Sequence, residues 1–237
     1  MATTIEILAL KFELLSAATF GRGDGLPGLV DREVEHDRNG LPFLRGRTLR
    51  GLLAEETDGL LDMLGIDRSQ TQHDERKKKW KDAGDRLLGI GGRMTDETGI
   101  MRVGDACLPE GVRRLIAVSL EARQQATGGL TPTDVLESLT AIRRQTAMTP
   151  FGAPETASLR AMRVVLPGTI FEARLTFDHS PNERERALLA ASILAWRRAG
   201  TGRNRGRGRL RAWIQDDEWM RAQFDFFEKE VGDELTR

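Results

Sequence analysis

Between Gly200 and Arg209 the chain reads Gly-Thr-Gly-Arg-Asn-Arg-Gly-Arg-Gly-Arg, four glycines interleaved with four arginines. Glycines let backbone N–H groups approach an anion, and guanidinium forks add charge and paired donors, so the natural ligand is phosphate. Gly200, Gly202, Arg203, Arg205, Gly206, Arg207 and Gly208 are therefore candidate phosphate-binding residues. The run is not a P-loop, because the dipeptide Gly-Lys occurs nowhere in the chain. A solitary Gly/Arg run is often only a solvated loop, but this one joins a helical pattern to a strand pattern, where disorder would be costly. A second anion site is expected where Arg47, Thr48 and Arg50 open a helix, whose first amides have no intrahelical partner. For proton transfer the long loop before that helix offers Asp24, Asp31, Glu33 and Asp37, together with His36, a residue type suited to general acid/base work. Charged loop residues are most often simply solvated, and nothing in composition or spacing ranks one of them above the others. The single cysteine, Cys107, and three scattered histidines, His36, His73 and His179, form no metal-ligand spacing, and there is no tyrosine.

These residues need a scaffold. Residues 4–15 alternate apolar and polar side chains, as a first strand should. Residues 21–46 are rich in glycine and acids and lack periodicity, which reads as a long loop. Leu49, Leu52, Leu53, Leu60, Leu61 and Leu64 form one apolar stripe on a helix of roughly four turns. Residues 65–86 are polar, with five bases around Trp80, and read as an insertion with a solvated helix face. Strands are expected at about 100–107 and 113–122, and a helix capped by Thr133 carries Val135, Leu136, Leu139 and Ile142. Residues 143–163, with four arginines and one glutamate, read as an excursion from the core. Residues 169–177 alternate again. Asn182 and Glu185 make a capping box for a helix reaching about Ala199, with Gly200 to end it. Trp196 on that helix is expected in the core. Leu210 to Ile214 completes the strands and 217–235 forms a final helix. Strand, helix, two strands, helix, strand is the ferredoxin-like order of an α+β fold in one domain over residues 1–237.

Length and charge narrow the class. A chain of 237 residues buries a proper core without staples. Lys+Arg and Asp+Glu are 36 each, so net charge is zero and attraction must be local. Arg197 to Arg211 holds seven arginines and no acid, whereas 216–237 holds eight acids and three bases; only the first can draw in a polyanion. No apolar run approaches the ~18 residues of a membrane span, so no membrane partner is expected, and lone-cysteine usage points to a reducing, cytoplasmic setting.

Four motifs in order add a resemblance: Gly40-Leu-Pro-Phe-Leu-Arg-Gly-Arg-Thr-Leu-Arg-Gly51 at the first helix, Leu88-Gly89 with Arg102-Val-Gly-Asp-Ala106, Leu166-Pro-Gly-Thr-Ile-Phe171, and the late Gly/Arg loop. Over about residues 5–215 the chain resembles the RAMP superfamily of CRISPR-associated proteins, and within it the repeating backbone subunits of type III effector complexes. That resemblance implies an RRM-like core that holds guide RNA (crRNA), assembly with other effector subunits including copies or paralogues of itself, and a projecting thumb hairpin, here about 143–163. Met148 and Phe151 would then be the thumb residues that wedge between bases, although a packed hairpin tip explains them equally well. The Gly/Arg loop and Arg47, Thr48 and Arg50 would hold guide backbone. Asp31, in Gly28-Leu-Val-Asp31, matches the loop aspartate of cleaving members. The resemblance thus implies an endoribonuclease that cuts target RNA with a divalent cation, magnesium or manganese, held at Asp31. Two other readings stay open: a non-catalytic subunit that scaffolds or caps the guide filament, and a guide-processing endoribonuclease using His36. Arg102 and Asp105 match family positions where a structural ion pair is as good a reading as RNA contact.

Overall fold

The computed structural model describes residues 6–26, 28–89, 99–123, 129–147, 151–152 and 158–235. Strands β1 (Ile7–Leu14), β2 (Met101–Val103), β5 (Ile170–Phe177) and β6 (Leu210–Ile214) form one antiparallel sheet in the order β2-β5-β1-β6. With α1 (Gly46–Met63) following β1 and α5 (Glu183–Ala195) following β5, this is the ferredoxin-like arrangement expected from the sequence. Alternation decides which face is which. Leu8, Leu10, Phe12 and Leu14 are buried beneath the helices, and Phe12 stacks on Phe171 with ring centroids 5.1 Å apart. The opposite face carries Lys11 paired with Glu172 at 2.6 Å and Arg211 paired with Glu13 at 3.2 Å.

Helix α5 is apolar on nearly every side, with Ala187 to Ile193 all buried. A helix of that kind must be enclosed. It lies between α1, α2 (Glu75–Leu88) and α6 (Asp217–Leu235), and Thr57 of α1 meets its Ser192 hydroxyl to hydroxyl at 2.8 Å. The Asn182–Glu185 capping box is present, satisfying two otherwise unpaired amides.

Several local expectations are corrected. The stretch 113–122 is helical, within α3 (Glu110–Arg123), because its apolar residues also fit a spacing of three and four. Ile116 and Leu120 turn inward while Leu115 and Val118 stay exposed. Helix α4 (Pro132–Leu139) is capped by Thr131 in a box with Asp134, not by Thr133, since proline favours the first helical position and leaves the cap to its predecessor. Trp80 is buried with Ala83 and Leu87, so one face of α2 packs against Ile66, α5 and α6 while Lys78 and Lys79 face water. Helix α5 stops at Ala195, four residues before the expected end. Trp196 takes extended backbone, sinks into the core against Phe12, and donates its indole N–H to Arg198 O.

Outside the sheet, β3 (Thr140–Gln145) and β4 (Arg160–Val165) form a regular antiparallel hairpin over the stretch where the resemblance implied one and the residues alone read as an irregular excursion. Phe151 near its tip is 97% exposed; Met148 lies outside the described residues. The loop 21–34 also folds back on itself. Arg22 N donates to Glu33 O, Glu33 N to Asp24 O, and Val30 N closes a tight turn on Leu26 O. Its return segment, 31–33, runs beside β4 in parallel.

Candidate functional site

The Gly/Arg loop is built before it is a binding site. All four glycines have positive φ, between 66° and 85°, flanking a 3-10 turn at Arg203–Arg205. A Cβ on Gly208 would stand 1.8 Å from Ala199 O, and one on Gly200 2.7 Å from Thr19 O. Thr201 N donates to Thr19 O and Gly208 N to Ala17 O, each at 3.0 Å. The first and last glycines therefore press the loop against the chain leaving β1, and Gly200 ends no helix. Backbone donors at both ends serve the fold rather than a ligand.

What faces outward is a cleft of about 590 Å³ between this loop and the hairpin. Arg203, Arg205 and Arg207 line one wall, Arg160 and Gln145 the other, and Asp31 and Arg32 the lip between them. Arg203 is partly engaged by Glu55 at 2.9 Å, and Arg207 reaches across to Gln145 Oε1 at 3.1 Å and to the Met162 sulfur. Arg32, Arg160 and Arg205 have no ion-pair partner among the described residues. Five guanidiniums against one carboxylate make a local field that net neutrality hides.

A second cleft, about 450 Å³, opens on the other side of Asp31 and Arg32. Thr48, Arg45, Glu35 and Asp24 line it together with Phe20, Phe43 and Thr201. Asp31 belongs to both spaces. Its side chain is exposed, and Oδ2 accepts a hydrogen bond from Ala161 N at 2.6 Å, while Oδ1 has no hydrogen-bond donor among the described residues.

The other loop carboxylates have structural tasks. Asp37 Oδ1 accepts from Asn39 N and Leu41 N, both 2.9 Å, and shapes a turn. Asp24 pairs with Arg22 at 2.8 Å, and the hydrogen bond from that guanidinium holds its carboxyl below the usual range. Glu33 is fully buried against Arg163. His36 bonds its ring Nδ1 to Asp37 O at 3.0 Å and lines neither cleft.

The expected helix-terminus site is only partly assembled. Asp105 Oδ1 accepts from Gly46 N at 2.7 Å, so an internal carboxylate already takes the first free amide of α1. Arg47 is exposed but lines neither cleft. Arg50 is half-buried and donates to Leu88 O at the end of α2; burial lowers its pKa, with Arg102 adding to the effect. Its guanidinium supports packing instead of facing the cleft. Of the three, Thr48 alone meets the site. Arg102 pairs with Asp178 at 2.6 Å.

Sequence reasoning missed Arg32, Arg160 and Gln145. The four-arginine composition of 143–163 was a signal for Arg160; Arg32 had none beyond adjacency to Asp31. No group of three or more His, Cys, Asp or Glu side chains able to hold a metal occurs among the described residues. A lone carboxylate still suits magnesium, which keeps several waters and is commonly held by one or two carboxylates plus substrate phosphate.

The sequence profile of the RAMP superfamily matches residues 11–211. This chain belongs to the RAMP superfamily. The match runs from β1 to β6 and so takes in both clefts of this RAMP protein. Among solved structures, it is similar to a chain in the cryo-EM structure of the type III-B Cmr-beta complex bound to cognate target RNA. The TM-score is 0.61 at 13% identity, covering 92% of this chain and 99% of the other. A chain in the apo state of Cmr-beta gives 0.60 at 13% identity, covering 89% and 98%. At that identity the likeness establishes the shared fold. No curated protein matches. No helix among the described residues is long and apolar enough to cross a membrane.

Proposed function

We propose that this RAMP protein is a backbone subunit of a type III CRISPR effector that holds guide RNA in the arginine-lined cleft and cleaves paired target RNA at Asp31. The observation that carries this reading is the position of Asp31: an exposed carboxylate on the lip shared by two clefts, one of them lined by five arginines. Family membership supplies the RNA context, and one similar chain comes from a complex bound to cognate target RNA. Other effector subunits, including copies of this chain, are the expected partners.

The chemistry follows from what RNA provides. Attack of a 2′-oxygen on the adjacent phosphorus forms one P–O bond and breaks that to the 5′-oxygen, leaving a cyclic phosphate and a 5′-hydroxyl. The arginines neutralise and orient the strand, which brings the attacking and leaving oxygens toward one line. Asp31 would accept the 2′-hydroxyl proton, and the departing 5′-oxygen would take its proton from solvent. A divalent cation, magnesium or manganese, held by Asp31 with an RNA phosphate oxygen would supply charge neutralisation at phosphorus. Sequence is read by pairing between guide and target.

The test is a complex assembled with Asp31→Ala. Target RNA should remain bound while cuts made by this subunit disappear; undiminished cutting at every position overturns the assignment. A non-cleaving scaffold is the second reading, favoured by the single, partly occupied carboxylate. It predicts intact target RNA with the wild-type protein and magnesium present. Guide processing by His36 draws no support from its location.

A further inference from the structure

We infer that Glu33 and Arg163 are positioning residues that lock the register of the Asp31 loop against the hairpin, and so fix where the carboxylate stands. The inference rests on the proposed role of Asp31. The pair is among the most deeply enclosed ionic groups described: Glu33 Oε1 meets Arg163 Nε at 2.8 Å, with side chains 0% and 6% exposed. Each partner lies two residues from the Asp31–Ala161 contact. Asp31 N donates to Ala161 O at 2.8 Å and Arg163 N to Arg32 O at 3.0 Å, so the ion pair ends a short parallel ladder that begins at Asp31.

Parallel pairing of three residues across 130 positions of sequence specifies register weakly by itself. A one-residue slip would turn Asp31 away from the lip and bring Arg32 into its place. The buried charges forbid the slip, because each would then be enclosed without its partner. Arg163 is in turn fastened at two further points, Nη1 donating to Thr140 Oγ1 at 3.2 Å and its carbonyl accepting from Thr19 Oγ1 at 2.9 Å, while Glu33 Oε1 also accepts from Val34 N at 2.9 Å. The pair is not arranged for stability alone. Among the described residues Glu33 Oε2 is buried with no hydrogen-bond partner, a cost that an apolar pair of similar volume would avoid.

The experiment uses the assembled complex with Glu33→Gln, and with the double change Glu33→Met and Arg163→Met, which leaves no unpaired buried charge. Hydrogen exchange of peptides spanning 29–34 and 158–165 is followed beside single-turnover cutting and target affinity, with Asp31→Ala in parallel. In Glu33→Gln both segments should exchange faster while β1 and β5 do not, and cutting should fall at least ten-fold at unchanged affinity. The double variant should recover wild-type melting but not the wild-type rate. Unchanged exchange in both segments of Glu33→Gln overturns the lock whatever the activity, and a double variant that cuts at the wild-type rate reduces the pair to a stability role. If Asp31→Ala itself still cuts, the fault lies with the catalytic assignment, and faster exchange in Glu33→Gln upholds the lock independently.

Discussion

Asp31 and Ala161 hold each other by two hydrogen bonds: the Asp31 amide donates to the Ala161 carbonyl at 2.8 Å, and the Ala161 amide returns one to Asp31 Oδ2 at 2.6 Å. The candidate reactive loop and the hairpin therefore form one unit. An amide side chain at position 31 keeps an oxygen for Ala161 but loses its basicity. Asp31→Asn should preserve melting temperature and target affinity while lowering the cutting rate by about 10²–10⁴-fold, the usual range for removing a general base. Gel analysis of end-labelled target RNA gives the rate. Rates within three-fold of wild type would remove Asp31 from the chemistry.

Arg205 projects from the Gly/Arg loop without an ion-pair partner among the described residues, whereas Arg207 is tied to the hairpin. Arg205→Ala should weaken RNA binding across sequences and reduce the slope of log K against log salt by about 0.7, one phosphate contact on a single strand. Arg207→Ala should weaken binding similarly and also lower melting temperature. Fluorescence anisotropy over a salt series measures both slopes; an unchanged slope for Arg205→Ala would mean that it faces only water.

The glycines differ sharply in what they tolerate. Gly206 has φ 77° with open space around it, while Gly208 has φ 66° and Ala199 O at 1.8 Å from an added Cβ. Gly206→Ala should cost about 1 kcal/mol, the left-handed backbone penalty alone. Gly208→Ala should cost clearly more, because backbone must move. Urea denaturation ranks them, and equal losses would contradict the described loop.

Glu56 in α1 has its pKa raised by burial, with the Glu55 charge adding and Arg203 opposing. The folded state thus prefers the protonated form. Its contribution to stability is complete below the ordinary value of 4.5 and is lost as pH rises through the raised folded value. Glu56→Gln, fixed in a neutral form, should gain stability relative to wild type as pH is taken from 4 to 7. A difference in urea midpoint that stays flat over that interval would show that Glu56 is fully hydrated.

Much of the sheet was legible because each strand carries its own signal. β1 and β5 alternate cleanly, and the Asn182–Glu185 box marks α5 to the residue. The segment 113–122 was not, since Leu115, Ile116, Val118 and Leu120 satisfy both periods and only packing chooses between them. At the site, the Gly/Arg loop stood out by composition and Asp31 by the resemblance alone. Their meeting follows from topology: β1 and β6 pair antiparallel with Leu14 opposite Leu210, so the chain leaving one strand lies beside the chain entering the other. Arg160 and the Glu33–Arg163 pair were hidden because their importance is relational and spans 130 positions. Conversely, Arg50 looked like a ligand-binding cation, and only its contact with Leu88 O reveals a packing role.

The arginine-lined cleft draws its walls from residues near 31, 160 and 205. During synthesis Asp31 and Arg32 emerge first, Arg160 later, and Arg203, Arg205 and Arg207 last of the residues that line the cleft. A nascent chain that stops short of Arg160 therefore carries Asp31 beside only Arg32 of the five lining guanidiniums. The charged surface around Asp31 is in this way complete only once the segment through Arg207 has been made.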